Sequence, residues 1–168
     1  MNIFLIGMMG SGKSSVGHSL SKHLTNTFYD LDKEVEKRFN LSIRDIFIEY
    51  GEDLFRKEEN KLLKELEISS DLIVSTGGGI VLSEENRTIL KKNKTYFLEA
   101  NIEDMYERAI KKENNRPLLK GMDITKFKEL YMKRRDLYIE SATTTINVDK
   151  KSIEDLTIEI IENEKNII

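Results

Sequence analysis

Residues 2–14 read Asn-Ile-Phe-Leu-Ile-Gly-Met-Met-Gly-Ser-Gly-Lys-Ser, and this stretch decides the fold. Its first five residues form an apolar run typical of a parallel strand that is covered on both faces. Gly7 to Ser14 match the phosphate-loop pattern G-x-x-x-x-G-K-[ST] at every fixed position. Val16, Leu20 and Leu24 then recur every four residues, which predicts a helix. A strand, a glycine-rich loop and a helix in this order indicate a nucleotide-binding α/β protein.

The loop predicts where the phosphates of a nucleotide bind. Its glycines let successive N–H groups point inward, and the start of the following helix adds partial positive charge. Lys13 supplies a formal charge for the β- and γ-phosphates, and the Ser14 hydroxyl can ligate Mg²⁺. The predicted nucleotide ligands are Gly10, Ser11, Gly12, Lys13, Ser14 and Ser15. A chance Lys-Ser after a flexible turn is the alternative, but the flanking strand and helix argue against it.

The base is predicted to be adenine. GTPases usually add a D-x-x-G switch and an N-K-x-D guanine motif. No glycine of this chain follows an aspartate by three positions, and neither Asn60-Lys61 nor Asn93-Lys94 is completed by an aspartate. We therefore expect ATP as the nucleotide.

The rest of the chain alternates short apolar runs with helical patterns. Further strands are predicted at Thr27–Asp30, Leu72–Ser75, Thr95–Leu98 and Thr144–Val148. Helices are predicted at 32–39, 43–50, 53–68, 83–91, 102–112, 125–140 and after Ser152, with Ser42 capping the second of these and Gly51 ending it. This alternation predicts one α/β domain over residues 1–168, with a five-stranded parallel sheet flanked by helices in the three-layer P-loop NTPase fold.

Composition narrows the possible partners and the compartment. Lys and Arg total 27 against 30 Asp and Glu, a net charge of −3, which argues against nucleic acid as a partner. The chain contains no cysteine, which excludes disulfides and thiolate chemistry. No run is long enough to span a membrane, and the apolar start lacks the features of a signal peptide. We expect a cytoplasmic monomer that acts on small molecules, without nucleic acid or membrane partners.

Five further motifs follow the phosphate loop in a fixed order. They are Asp30-Leu31-Asp32, Gly51-Glu52 followed by Phe55-Arg56 and Glu59, Gly77-Gly78-Gly79, Arg116-Pro117-Leu118-Leu119, and Arg134 with Leu137 and Tyr138. Each is weak alone, but the series covers nearly the whole chain and resembles the shikimate kinases. Those enzymes have a fold like that of nucleoside monophosphate kinases.

The resemblance gives the two aspartates distinct roles. It implies that Asp30 helps to hold Mg²⁺ with Ser14, and that Asp32 binds the acceptor and orients or deprotonates its attacked hydroxyl. If both lie on a strand, side chains two residues apart share a face and reach one site. The structural alternative is that either acid merely caps the next helix, with Asp32 the more obvious candidate.

The resemblance also assigns the acceptor-binding and lid residues. It implies that Arg56 and Arg134 bind the carboxylate of shikimate, with Glu59 one helical turn from Arg56 to hold it. Solvated helix faces are the alternative for both arginines. Residues 32–62 would form the acceptor-binding helices, and residues 113–124 a mobile lid. The remaining implied ligands are Gly77, Gly78 and Gly79 on the acceptor, Arg116 as the lid arginine, and Arg108 as the arginine that packs on adenine.

The expected reaction is transfer of the γ-phosphoryl group of ATP to the 3-hydroxyl of shikimate, with Lys13, Asp32 and Arg116 as catalytic residues. Another P-loop small-molecule kinase, of the gluconate or nucleotide type, is one alternative. A nucleotide-dependent binding module without an acceptor is another.

Overall fold

The structure, a computed structural model, describes residues 2–111 and 121–166. Its strands are β1 (Ile3–Ile6), β2 (Thr27–Asp30), β3 (Leu72–Ser75), β4 (Lys94–Glu99) and β5 (Thr144–Asn147). Its helices are α1 (Lys13–Leu24), α2 (Leu31–Phe39), α3 (Ile43–Glu67), a short 3-10 helix (Ile80–Leu82), α4 (Glu84–Lys92), α5 (Ile102–Ile110), α6 (Ile124–Ser141) and α7 (Ile153–Asn166).

The five strands form one parallel sheet in the order β2-β3-β1-β4-β5. Every residue of β1 and β3 is buried, as expected for inner strands with helices on both faces. The edge strands β2 and β5 are more exposed. The predicted five-stranded parallel sheet is confirmed. No helix within the described part of the chain has the length and apolar character of a membrane span.

Strand order places the functional loops at one edge of the sheet. The carboxyl ends of β1, β3 and β2 lie side by side and lead into Gly7, Thr76 and Leu31. In open α/β sheets, ligands bind beyond the carboxyl ends of strands, where the strand order reverses. The phosphate loop and two of the acceptor motifs therefore begin at neighbouring points.

Most predicted helix ends agree with the structure, with one difference. Ser42 caps α3 by accepting a hydrogen bond from the Asp45 amide at 3.1 Å. Gly51 (φ 82°, ψ 165°) is non-helical and forms a kink that divides α3 into two helical stretches, as predicted. Asp30, not Asp32, caps α2, because its carboxylate accepts from the Lys33 amide at 3.3 Å.

Candidate active site

The phosphate loop joins the end of β1 to the start of α1. Gly12 caps α1 without a side-chain hydrogen bond, and the first turn of the helix carries no acidic residue. Unpaired N–H groups and partial positive charge at a helix start favour an anion. Gly10 lies at φ 83°, and a β-carbon there would come within 2.2 Å of the Met105 carbonyl oxygen. The loop thus packs tightly against α5, which leaves room only for glycine at position 10.

Lys13 lies inside the loop. It is 8% exposed, and its Nζ donates to the carbonyl oxygens of Gly7 at 2.8 Å and Met8 at 2.9 Å. These contacts hold the ammonium group across the loop, where the phosphate-loop motif requires a positive charge.

Hydroxyl and carboxylate oxygens meet next to the loop. Ser14 Oγ donates to Asp30 Oδ2 at 2.9 Å and lies 3.3 Å from Ser75 Oγ. These are the hard oxygen donors that Mg²⁺ prefers. Among residues 2–111 and 121–166, no group of three His, Cys, Asp or Glu side chains is placed to bind a metal. This donor set fits Mg²⁺, which usually takes one or two protein oxygens and completes its shell with phosphate and water.

Asp32 lies in the first turn of α2 and lines the cavity beyond the loop. Burial, then the nearby carboxylates of Glu59 and Asp30, raise its pKa to about 7, against the opposing charges of Lys13 and Arg56. A carboxyl group with a pKa near neutrality can exchange a proton with a substrate hydroxyl. Because Asp32 is helical, the expectation that Asp30 and Asp32 share a strand face is wrong. The helix start brings Asp32 to the site instead.

Arg56 projects from α3 and forms two ion pairs. Its Nη1 donates to Glu59 Oε2 at 2.8 Å, and its Nε and Nη2 donate to Glu52 Oε1 at 3.1 and 2.9 Å. Glu59 is fully buried, and burial raises its pKa although Arg56 opposes this. The predicted Glu59–Arg56 contact is present. The guanidinium group also lies against Gly79, where a β-carbon would come within 2.4 Å of Nη2.

Arg134 reaches the glycine segment from α6. It is 4% exposed, and its Nη1 donates to the Gly78 carbonyl oxygen at 3.3 Å. Tyr138, one helical turn further on, donates to the same oxygen at 2.5 Å. The Arg134 Nε is buried and has no hydrogen-bond partner among the described residues. Arg56 and Arg134 therefore meet the same three-glycine segment, which places both on one side of the site.

One cavity connects these groups. Its volume is about 810 Å³, and it extends from the phosphate loop to the two arginines. Its lining includes Gly12, Lys13, Ser14, Asp30, Asp32, Arg56, Gly77, Gly78, Gly79 and Arg134, together with the apolar side chains of Ile43, Phe47 and Phe55. The phosphate loop, a carboxyl group of raised pKa and two guanidinium groups thus face one space. The arrangement suits phosphoryl transfer to a small anionic alcohol.

The family model for shikimate kinase matches residues 9–165, nearly the whole chain. The chain belongs to the shikimate kinase family. Membership confirms the resemblance drawn from the five motifs, and it makes the chain an ATP-dependent kinase.

Individual members of the family are similar over most of this chain. A shikimate kinase from Dictyoglomus turgidum is 42% identical over 166 residues, which cover 96% of this chain and 95% of that protein. A bifunctional shikimate kinase/3-dehydroquinate synthase from Thermotoga maritima is 48% identical over 141 residues, but the match spans only 28% of its length. The solved structure of a shikimate kinase from Acinetobacter baumannii in complex with shikimate superimposes with a TM-score of 0.93 at 34% identity, covering 98% of this chain and 93% of that one.

Two predicted site residues, Arg116 and Arg108, have yet to be placed. Arg116 and most of the predicted lid at residues 113–124 lie outside the described residues. Arg108 is exposed on α5, where its Nε donates to the Asp104 carbonyl oxygen at 3.0 Å. It lines the main cavity and also an adjoining cleft of about 270 Å³ beside Asp149 and Lys151. Arg108 thus lines the same cavity as the phosphate loop.

Sequence reasoning missed three contributors to the site. Glu52 belonged to the Gly51-Glu52 motif but had no predicted role, and in the structure it forms an ion pair with Arg56. Tyr138 was part of the Arg134 motif without a role, yet it fixes the Gly78 carbonyl. Ser75 received no assignment, although it follows three buried apolar residues at the end of β3, where site residues collect. The strand-end position was the signal that could have found it.

Proposed function

We propose that this chain transfers the γ-phosphoryl group of ATP to the 3-hydroxyl of shikimate, giving ADP and shikimate 3-phosphate in the biosynthesis of aromatic amino acids. The observation that carries the proposal is the single cavity that joins Lys13 to Arg56 and Arg134, with Asp32 on its wall. The Nη1 of Arg134 donates to a carbonyl oxygen and not to a carboxylate, so a carboxylated alcohol would give this guanidinium group a charged partner that a neutral sugar lacks.

On the nucleotide side, the loop amides of Gly10 to Ser15 and the start of α1 bind the phosphates. Lys13 exchanges its carbonyl contacts for the β- and γ-phosphate oxygens. Ser14 and Asp30 are the residues that would hold Mg²⁺, which supplies charge neutralisation on the phosphates. The adenine is proposed to lie near Arg108. Arg116, which lies outside the described residues, is proposed to supply a second positive charge to the transferred phosphoryl group.

On the acceptor side, Arg56 and Arg134 bind the carboxylate and Asp32 binds the hydroxyl that is attacked. As the Asp32 carboxylate accepts the hydroxyl proton, the alkoxide oxygen forms its bond to phosphorus and the bond to the ADP oxygen breaks. The glycines at 77–79 let the backbone approach the ring of the acceptor. Enzyme action here is positioning and charge neutralisation, as is usual for phosphoryl transfer.

An acceptor panel tests the proposal. ADP release is measured with Mg-ATP and shikimate, gluconate or nucleoside monophosphates, with and without EDTA. We expect stimulation by shikimate alone and its loss with EDTA. If only gluconate or a nucleoside monophosphate stimulates ADP release, the chain is a kinase of another class. ATP binding without any acceptor-dependent turnover would favour a binding module.

We further propose a cytoplasmic monomer without nucleic acid or membrane partners. The support is that the net charge is only −3 and that the chain contains no cysteine. Light scattering coupled to size-exclusion chromatography measures the oligomeric state, and a stable dimer would contradict the monomer.

A further inference from the structure

The two arginines proposed to bind the acceptor differ in their own partners. Arg56 already donates to two carboxylates, through Nη1 to Glu59 and through Nε and Nη2 to Glu52. Arg134 is buried with its Nε unpartnered among the described residues, and its Nη1 has only a long contact with a carbonyl oxygen. The side of Arg56 formed by Nε and Nη2 is one that a carboxylate commonly binds with two parallel hydrogen bonds. In this structure Glu52 uses it.

We propose that Glu52 holds the place of the acceptor's carboxylate on Arg56 and is displaced when the acceptor binds, so that Glu52 lowers acceptor affinity by competition. The inference rests on the proposed function, because it requires an acceptor with a carboxylate. It gives Glu52 a role that is opposite to that of Glu59, although both contact the same guanidinium group.

Glu52 and Glu59 differ in how far their side chains are buried. The Glu59 side chain is fully buried, so losing Arg56 would strand a charge away from water, which is costly. The Glu52 side chain is 45% exposed, and an exposed ion pair contributes little to stability. Glu52 can therefore leave Arg56 for water, while Glu59 stays as the permanent partner.

The local backbone structure provides a favourable position for the Glu52 carboxylate when it is not bound to Arg56. It directly follows Gly51, whose φ of 82° and ψ of 165° interrupt α3. The residues after this kink start a new helical stretch, where an acidic side chain is favoured by the partial positive charge of the helix start. A released Glu52 carboxylate thus stays in a favourable position without Arg56.

Charge balance also favours the exchange. Arg56 and Arg134 carry two positive charges, and Glu52 and Glu59 offset them when both are ionised. Adding the acceptor's carboxylate while Glu52 stayed in place would put three carboxylates on two guanidinium groups. Removal of Glu52 to solvent restores the balance, so acceptor binding and Glu52 contact are mutually exclusive.

Substituting Glu52 tests the exchange. For Glu52→Gln, and for Glu52→Ala as a second variant, we expect the Kd and KM for shikimate to fall about two- to fivefold, because an exposed ion pair of ordinary strength no longer competes. The kcat and the KM for ATP should stay unchanged. Glu49→Gln is the matched control, since it removes the same charge from an exposed position of the same helix. It should change shikimate affinity less than about 1.5-fold, because Glu49 is exposed and does not line the cavity, and exposed charges are screened by salt.

The methyl ester of shikimate, which has no negative charge, separates competition from other effects. Its affinity, measured by calorimetry, should be the same in the wild type and in Glu52→Gln. A higher KM for shikimate in the Glu52 variants would overturn the inference, since Glu52 would then position Arg56. Equal gains for shikimate and ester, or an equal gain in Glu49→Gln, would also overturn it. If the wild type neither binds nor phosphorylates shikimate, the proposed function itself fails before any variant is compared.

Discussion

Asp32 and Glu59 converge on one point beside Gly77. A β-carbon at Gly77 would lie 2.5 Å from Asp32 Oδ1 and 2.9 Å from Glu59 Oε1. The Oε1 atom of Glu59 is buried without a hydrogen-bond partner among the described residues. A buried carboxyl group beside another disfavours ionisation of both, which contributes to the raised pKa of Asp32. The site thus brings two acids together where the backbone lacks a side chain.

Replacing Asp32 with asparagine should remove most of the turnover and keep nucleotide binding. Asparagine retains the shape of the side chain but cannot accept the hydroxyl proton. We expect kcat to fall about 10²- to 10⁴-fold, the usual contribution of a positioned base. A coupled ADP-release assay measures kcat, and calorimetry with a non-hydrolysable ATP analogue checks binding. Near-normal turnover would remove Asp32 from the mechanism.

The raised pKa of Asp32 predicts how stability depends on pH in the free protein. The folded state keeps the Asp32 proton up to about pH 7, whereas the unfolded chain releases it near its ordinary pKa of 3.8. Between these values the folded state binds more protons, so its stability falls as the pH rises and levels off above pH 7. Asp32→Asn removes this dependence, because asparagine stays neutral.

Urea unfolding of both proteins without nucleotide and with EDTA measures this effect. At pH 8 we expect Asp32→Asn to exceed the wild type by about 1–3 kcal/mol in the free energy of unfolding, and to match it near pH 4. All other carboxyl groups are common to the two proteins, so the difference reports the titration of Asp32 together with its effect on Glu59. A difference that is independent of pH would contradict a raised pKa.

Two glycine substitutions should separate the chemical step from acceptor binding. The β-carbon of Gly77→Ala would contact Asp32, whereas that of Gly79→Ala would contact the guanidinium group of Arg56. We expect Gly77→Ala mainly to lower kcat and Gly79→Ala mainly to raise the KM for shikimate, each at least about tenfold, because small displacements of site groups are costly.

The two variants control for each other, since both add one methyl group to the same segment. Steady-state kinetics measure the two parameters, and thermal unfolding checks that both variants fold. Identical effects on kcat and KM in the two variants would show that the segment responds as a whole and that the contacts at positions 77 and 79 do not act separately.

Much of the fold was predictable because local patterns decide it. The phosphate-loop motif fixes β1 and α1, and buried apolar runs fix the inner strands. The argument that Asp30 and Asp32 share a strand face failed because the Asp30 carboxylate caps α2, so that the helix starts one residue later. Gly51 was expected to end a helix, and its non-helical φ and ψ do interrupt α3 at that position.

The contacts between distant residues were less predictable. Arg135 Nε donates to Glu99 Oε1 at 2.7 Å, and Tyr131 donates to the same carboxylate oxygen at 3.0 Å. These three residues connect α6 to β4 over more than 30 positions, and no local pattern marks such a pair. The same holds for Tyr138 with Gly78. Helix periodicity predicts which residues share a face of a helix, but it does not predict which residues of other elements they contact.

Replacing Arg134 with lysine should weaken acceptor binding specifically. Lysine keeps the charge but loses the planar fork that binds a carboxylate with two hydrogen bonds. We expect the KM for shikimate to rise about 10- to 100-fold with an unchanged Kd for ATP, in keeping with the strength of charge-assisted bonds. Lys133→Arg, next to it on the exposed face, is the control and should leave both constants unchanged. An unchanged KM for shikimate in Arg134→Lys would place the carboxylate elsewhere.

The central claim is that one cavity brings the γ-phosphate of ATP to the 3-hydroxyl of shikimate. Phosphorus and proton NMR of a reaction with Mg-ATP and shikimate tests it directly, because the coupling between phosphorus and the ring proton identifies the esterified carbon. The account predicts one molecule of shikimate 3-phosphate for each ADP formed. Release of inorganic phosphate without a phosphorylated acceptor, or esterification of a different hydroxyl, would contradict it.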